Sequence, residues 1–215
     1  MPDSDHPLLA REGWIHIVLI AAAAIAASVS GGGWVAVLLW LATAFVIQFF
    51  RDPRRDIPDE ANLAVCPADG KVVFAGHAED PYLDRRAFKV SIFMNVFSVH
   101  SNRIPISGVV RERWYREGKF INAALDKASE ENERNALWLR SELDGDVVCV
   151  QVAGLIARRI LCYVRPGDKV DRGQRYGFIR FGSRVDVYLP TDFEPSVRLG
   201  DTVKAGSRTL GRFAD

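Results

Sequence analysis

Two stretches without a formally charged residue, 14–30 and 34–50, are separated only by Gly31-Gly32-Gly33 and constrain this chain more than any other feature. Each lies at the short end of the ~17–25 residues that cross a bilayer as a helix. They predict a transmembrane helical hairpin; a buried helix pair, or a monotopic hairpin dipping into one leaflet, is the alternative. A signal peptide fits poorly, because the second apolar run follows at once and Asp3, Asp5 and Glu12 dilute the charge before the first. Arg11 precedes the first run and Arg51, Arg54 and Arg55 follow the second, which predicts both ends in the cytoplasm. Trp14, Trp34, Phe49 and Phe50 mark the ends, where aromatic rings favour the headgroup level. His16 lies inside the first run with no second ligand-type residue close by, so it reads as a neutral interfacial side chain. The expected organisation is a cytoplasmic tail over 1–12, the hairpin over 13–50, a stiff charged linker over 51–60, and a soluble domain over 61–215.

Charge says little about partners. The formal net charge is +1, with basic residues scattered along the chain, which gives no electrostatic footprint for nucleic acid. Cys66, Cys149 and Cys162 have neither metal-ligand nor redox spacing and read as reduced thiols packed as small apolar groups.

From Leu63 onward, short Val- and Ile-rich runs alternate with Gly, Asp and Pro, the pattern of a mainly β domain. Candidate strands are 72–74, 88–93, 109–110, 147–152, 160–164 and 185–189; a helix is plausible only around 122–133, whose end at Asn132-Glu133-Arg134-Asn135 can equally be an exposed loop. One repeat stands out: Gly167-Asp168-Lys169-Val170-Asp171-Arg172-Gly173 returns as Gly200-Asp201-Thr202-Val203-Lys204-Ala205-Gly206. Two such turns suggest pseudo-symmetric halves of a β-sandwich or flattened barrel. The turn resembles that of lipoyl- and biotinyl-carrier domains and their barrel-sandwich relatives, which supports a fold rather than a function. Thr202 stands opposite Lys169 in the repeat, which speaks against a displayed carrier lysine.

The chemistry centres on Gly182-Ser183. Glycine permits backbone angles that bring the following serine hydroxyl to the carbonyl before it, although Gly-Ser is also ordinary turn chemistry. Rearrangement to an ester needs a base, a group to position it, and donors for the oxyanion. His100 is the best base, since it follows an apolar run and precedes Ser101-Asn102-Arg103. Asp69, in Ala68-Asp69-Gly70, is either a turn aspartate or the residue that orients the base. Together Asp69, His100 and Ser183 match the roles of orienter, base and nucleophile. Gly182-Ser183 lacks the second glycine of a Gly-x-Ser-x-Gly elbow, which disfavours a serine hydrolase.

Pro67-Ala68-Asp69-Gly70, Val99-His100 with Asn102-Arg103, and Phe181-Gly182-Ser183 resemble the three motifs of the phosphatidylserine decarboxylases, in particular the short bacterial form with an amino-terminal hydrophobic hairpin. The likeness extends to Phe49-Phe50-Arg51-Asp52-Pro53 and Asn132-Glu133-Arg134. The resemblance implies that Ser183, assisted by His100 and Asp69, attacks the Gly182 carbonyl, and that the ester eliminates. The dehydroalanine left at 183 then hydrolyses to a pyruvoyl group with release of ammonia. A β chain of 1–182 and an α chain of 183–215 result. The pyruvoyl group forms a Schiff base with the serine headgroup and serves in place of pyridoxal phosphate, with no metal, so that phosphatidylserine becomes phosphatidylethanolamine.

The implied location is the cytoplasmic face of a bacterial inner membrane; a homo-oligomer is left open. Longer members carry a second histidine where this chain has Phe97, and usually Leu-Gly-Ser-Thr where this one has Phe181-Gly182-Ser183-Arg184. Arg113, Arg116, Asn132 and Arg134 are candidate headgroup contacts, with a solvated charged face as the alternative for the arginines. Two other functions stay open: a membrane-tethered carrier or adaptor with a lipoyl-like fold, and a pyruvoyl decarboxylase for another amino acid or lipid.

Overall fold

The structure, a computed structural model, describes residues 7–123, 131–141, 145–154, 160–180 and 182–214. Two compact units, Ser4–Arg54 and Arg55–Asp215, divide the chain. In the first, a 3₁₀ turn (Arg11–Gly13) leads into α1 (Trp14–Val29), and α2 (Gly33–Phe49) follows a glycine turn. Gly31 and Gly33 adopt φ of 74° and 43°, which a side chain resists, so the chain reverses within three residues. Trp40 donates its indole N–H to Ser28 Oγ at 3.2 Å and ties the helices together.

Both helices are apolar all round, and large side chains such as Val18, Leu19, Val29, Trp34, Leu38 and Leu41 stay exposed within the chain. The segment Arg11–Val29 has 19 residues, its most apolar 18 averaging a hydropathy of 1.8, long and apolar enough to cross a membrane. At 17 residues, α2 is shorter. It rises about 26 Å, against the ~30 Å of a bilayer core. The pair predicted from sequence is therefore one helix of spanning length and a shorter apolar companion.

The second unit is mainly β. In chain order its strands are β1 (Leu63–Val65), β2 (Gly70–Asp80), β3 (Arg85–Met94), β4 (Ser101–Arg103), β5 (Gly108–Arg116), β6 (Arg134–Ser141) and β7 (Gly145–Val152). Then come β8 (Ile160–Cys162), β9 (Lys169–Val170), β10 (Arg175–Ile179), β11 (Ser183–Leu189), β12 (Glu194–Pro195), β13 (Thr202–Val203) and β14 (Thr209–Arg212). Each of the six candidate strands overlaps an observed one, although that over 160–164 ends at Cys162. The sandwich expectation is refined: a curled eight-stranded sheet, ordered β13-β2-β3-β11-β7-β6-β5-β9, is accompanied by two three-stranded sheets, β1-β14-β12 and β4-β10-β8. Most of the candidate helix over 122–133 lies outside the described residues.

These orders expose a duplication larger than the repeated turn. Exchanging β1–β3 with β4–β6, and β11–β14 with β7–β10, turns each three-stranded sheet into the other and reverses the eight-stranded one onto itself. The hydrogen bonds are reciprocal. Val65 N–H donates to Pro105 O at 3.0 Å and Arg103 N–H to Pro67 O at 2.8 Å; Gly200 N–H donates to Val72 O and Gly167 N–H to Val110 O, both at 2.8 Å. Asp201 and Asp168 each accept the backbone N–H three residues earlier at 2.9 Å, and both glycines before them have φ of 94°. Val187 and Cys149, paired across β11 and β7, mark the centre. One half runs unbroken from β4 to β10. It is inserted between β3 and β11 of the other half, so the chain crosses between halves after β3 and again after β10.

Alternation along the strands sorts the faces. Val72, Val90, Ile92, Val185, Val187 and Leu189 belong to the main core. Ala87, Ala136, Val148, Val150 and Tyr188 pack on the opposite face. The segment after Arg55 is docked rather than extended: Arg172 Nη1 donates to the carbonyls of Glu60 and Leu63, and Ile57 lies against both Gly173 and Gly206, the last glycines of the two repeated turns.

Candidate active site

Ser183 opens β11 and is fully buried, directly across from Met94 at the end of β3. In the other half the corresponding strand ends are closed into a hairpin, with Ser141 paired to Gly145. The insertion opens the equivalent hairpin in the first half, and Gly182-Ser183 sits at its open end. Gly182 has φ of 59°, and nothing lies within 4 Å of where its Cβ would be. The peptide thus adopts a geometry that other residues resist. Ser183 shares the parity of Val185 and Val187, so its side chain faces the core; Oγ points to Met94 Sδ at 3.5 Å. Phe181 lies outside the described residues.

His100 immediately precedes β4, at the other crossing between halves. It is fully buried, its ring lies 6.2 Å from that of Phe178, and its carbonyl accepts Ile179 N–H at 3.3 Å. The corresponding residue is Asn62, whose carbonyl accepts Phe213 N–H at 3.0 Å. Asp69 accepts Ala205 N–H at 2.8 Å, and its counterpart Ser107 accepts Arg172 N–H at 2.9 Å. A hydroxyl therefore suffices for the turn. The carboxylate does more: Arg55 Nη2 reaches its two oxygens at 2.8 and 2.9 Å, with both side chains largely buried. Asp69, His100 and Ser183 thus stand where the duplicate half has Ser107, Asn62 and Gly145.

Beside Ser183 runs a chain of amides that no local signal in the sequence reveals. Arg113 Nε donates to Asn135 Oδ1 at 2.6 Å, Asn135 Nδ2 to Gln151 Oε1 at 2.9 Å, and Gln151 Nε2 to Asn102 Oδ1 at 2.8 Å. Asn102 Nδ2 then meets Met94 Sδ at 3.7 Å, the same sulfur that faces Ser183. The three amide residues are fully buried. Arg113 therefore connects to the serine side of the sheet.

Arg116 and Arg134 do not. They line an open groove of about 470 Å³ with Lys89, Asp186 and Tyr188 on the other face. Asn132, a candidate headgroup contact read as a helix end or an exposed loop, is fully buried; its Nδ2 donates to Ile121 O and Ala153 O, and its Oδ1 accepts Ile121 N–H. Arg184, next to the junction, points away from Ser183 and pairs with buried Asp186 at 2.9 Å. Burial, then the Asp186 charge, push the nearby Tyr188 phenol up. Gly154 is a further residue that sequence reading passed over: a Cβ there would overlap the carbonyl oxygen of Gly182. A glycine two residues past a strand end signals a turn, and nothing local tells that it touches a bond far along the chain.

A sequestered serine at a strand opening, in a β domain that follows an apolar helix of spanning length in the chain, fits a β-domain enzyme with an enclosed serine rather than an open-cleft hydrolase. A profile of the phosphatidylserine decarboxylases matches residues 42–211. The chain is 60% identical to the phosphatidylserine decarboxylase proenzyme of Aromatoleum aromaticum over 97% of both chains. It is 54% identical to the proenzyme of Nitrosomonas europaea over 99% of this chain and 98% of that one. With the proenzyme of Cupriavidus metallidurans it shares 56% over 95% of each. The chain belongs to the phosphatidylserine decarboxylase family, and is a carboxy-lyase made as a proenzyme.

Proposed function

We propose that this proenzyme cuts itself between Gly182 and Ser183, that Ser183 becomes a pyruvoyl group, and that residues 1–182 and 183–215 stay together to convert phosphatidylserine into phosphatidylethanolamine and carbon dioxide. The observation that carries this reading is the coincidence of chemistry with broken symmetry. Asp69, His100 and Ser183 each replace a residue that serves the same backbone bonds in the duplicate half, so the fold alone does not call for them.

In the cut, His100 takes the Ser183 Oγ proton, and Oγ bonds to the Gly182 carbonyl carbon as the peptide C–N bond breaks, which leaves an ester. Loss of the Ser183 Cα proton then expels the Gly182 carboxylate. Water addition and loss of ammonia complete the conversion of residue 183. Asp69 orients the base from the turn that Arg55 and Ala205 hold.

The site suits the group: Ser183 is fully buried against a thioether, which shields a reactive carbonyl from water. A pyruvoyl carbonyl supplies an electrophile for the headgroup amine and an electron sink for the carboxylate bond. His100 returns a proton to the headgroup carbon that loses its carboxylate. Arg113, on the serine side of the sheet, contacts the lipid phosphate. The helix pair holds the domain at the cytoplasmic face of a bacterial inner membrane, where a lipid headgroup must be met.

Intact-mass measurement tests the reading. The wild type is expected as two fragments, the smaller with a blocked amino end, and Ser183→Ala as one chain. Active wild-type material with an unmodified Ser183 would overturn it.

A further inference from the structure

Among the described residues, two segments near the bond to be cut are held by one side chain. Gly154 lies so close to Gly182 that a Cβ added to it would coincide with the Gly182 carbonyl oxygen and stand within 2.6 Å of the carbonyl carbon. The same added Cβ would stand 3.3 Å from Ala123 Cβ, so Ala123 packs close to Gly154 beside this contact. Ala123 O in turn accepts Arg184 Nη1 at 3.1 Å, one residue past the scissile bond.

Asn132 clasps both segments. Its Nδ2 donates to Ala153 O at 2.6 Å, next to Gly154, and to Ile121 O at 2.8 Å, two residues before Ala123; its Oδ1 accepts Ile121 N–H at 3.0 Å. Ala153 is fixed on its other side by donation of its N–H to Glu133 O at 2.9 Å. Asn132 is fully buried, so these bonds do not compete with water. None of the three can be supplied by an apolar or acidic residue without loss: the two donations need an amide, and the acceptor needs its oxygen.

We infer that Asn132 is a positioning residue for self-cleavage, which sets the Gly182 carbonyl against the Gly154 backbone so that Ser183 Oγ meets its carbon. The inference rests on the reading that the chain cuts itself at Gly182-Ser183, and it reassigns Asn132 from headgroup contact to processing. The carbonyl carbon becomes tetrahedral during the attack, and its oxygen gains charge and moves. A wall of bare backbone fixes the starting position of that oxygen yet brings no side chain against it. Positioning of this kind is lost steeply with displacement: a shift of about 1 Å can slow a reaction roughly 10²-fold. Once the bond is cut, the Gly182 carbonyl has left the reaction, so the clasp acts on the cut and not on turnover.

The test follows precursor conversion by mass or gel, and turnover on the cleaved fraction, for wild type, Asn132→Ala, Asn132→Asp and Gly154→Ala. Expected are a roughly 10²-fold slower cut in both Asn132 variants, and an uncut Gly154→Ala chain. The KM for phosphatidylserine on the cleaved Asn132→Ala fraction should move by no more than about twofold, since the interaction lost is not a binding one. Wild-type cleavage rates in Asn132→Ala, or a raised KM with cleavage intact, would overturn the inference. If Asn132→Ala fails to fold, judged by its thermal midpoint against uncut Ser183→Ala, Gly154→Ala decides the matter with no hydrogen bond removed: normal cleavage there rejects the close contact. An uncut wild type would instead reject self-cleavage itself, before any variant is compared.

Discussion

Arg55 grips Asp69 through one guanidinium nitrogen, 2.8 and 2.9 Å from the two carboxylate oxygens. The turn itself needs only an oxygen to accept Ala205 N–H, as Ser107 shows in the duplicate half. Structure and chemistry at position 69 are therefore separable.

Asp69→Ser should keep the turn but leave the Arg55 guanidinium buried without its carboxylate, at a cost of about 3 kcal/mol. Arg55→Leu added to Asp69→Ser should recover most of that loss, because no buried charge then remains. With Asp69 as the proposed orienter of His100, self-cleavage should be lost in both variants, since neither restores its carboxylate. Urea unfolding in a Ser183→Ala background measures the first effect, and precursor conversion in the Ser183 background the second. A double variant that cuts itself normally would remove Asp69 from the chemistry.

Gln151 is the central link between Asn135 and Asn102. Gln151→Leu strands a donor on one neighbour and an acceptor on the other, each worth about 1–3 kcal/mol when buried. Gln151→Glu is more diagnostic. Its ionised form would meet the oxygens of Asn102 and Leu161, where the amide now donates, so burial and the facing carbonyl dipoles raise its folded-state pKa. A raised carboxyl leaves stability intact below the unfolded value of about 4.3 and removes it as pH rises toward the folded value. The variant should thus approach wild-type stability near pH 4 and weaken by pH 7, the reverse of ordinary acid denaturation. A flat difference between wild type and variant across that range would show that the amide chain does not bind as drawn.

Much of this arrangement was legible before the fold, and the remainder has a common cause. Val147–Val152 and Val185–Leu189 announced themselves as strands, because β-branched runs bounded by turn residues need little context. The repeated Gly-Asp-x-Val turn was readable too, since its glycines and aspartates perform local work. The complete duplication was not. Pro67-Ala68-Asp69-Gly70 and Pro105-Ile106-Ser107-Gly108 share only proline and glycine, yet Gly70 and Gly108 approach the backbones of Phe93 and Arg140 in the same way. Polar β6 and the residues just before it were not legible either: Asn132 and Asn135 read as a helix end or an exposed loop in sequence, and Ile121, Ala153 and Gln151, distant along the chain, satisfy them. Hydropathy likewise made equals of the two apolar helices, whereas their lengths differ once the 3₁₀ turn extends the first.

The cysteines provide a prediction independent of the chemistry. Burial pushes the Cys149 thiol up to about 12, and its Sγ lies 3.2 Å from Tyr176 OH; burial likewise raises Cys66, with Arg208 opposing. All three cysteines are free, and Cys162 is the half-buried one. A thiol that ionises near 8.5 when unfolded but far higher when folded keeps a proton that the unfolded chain has released. Stability is then whole below about pH 8.5 and falls as pH rises, by up to about 1.4 kcal/mol per unit for each such thiol until its folded value is reached. Urea midpoints at pH 7.5, 9 and 10 should decline, and Cys149→Ala should flatten the slope although the cavity it leaves lowers stability at every pH. Iodoacetamide at pH 8.5 should label Cys162 first and leave Cys66 and Cys149 for the unfolded chain. Rapid labelling of Cys149 in the folded protein would mean that the centre of the duplicated sheet, where it pairs with Val187, opens far more readily than its packing allows.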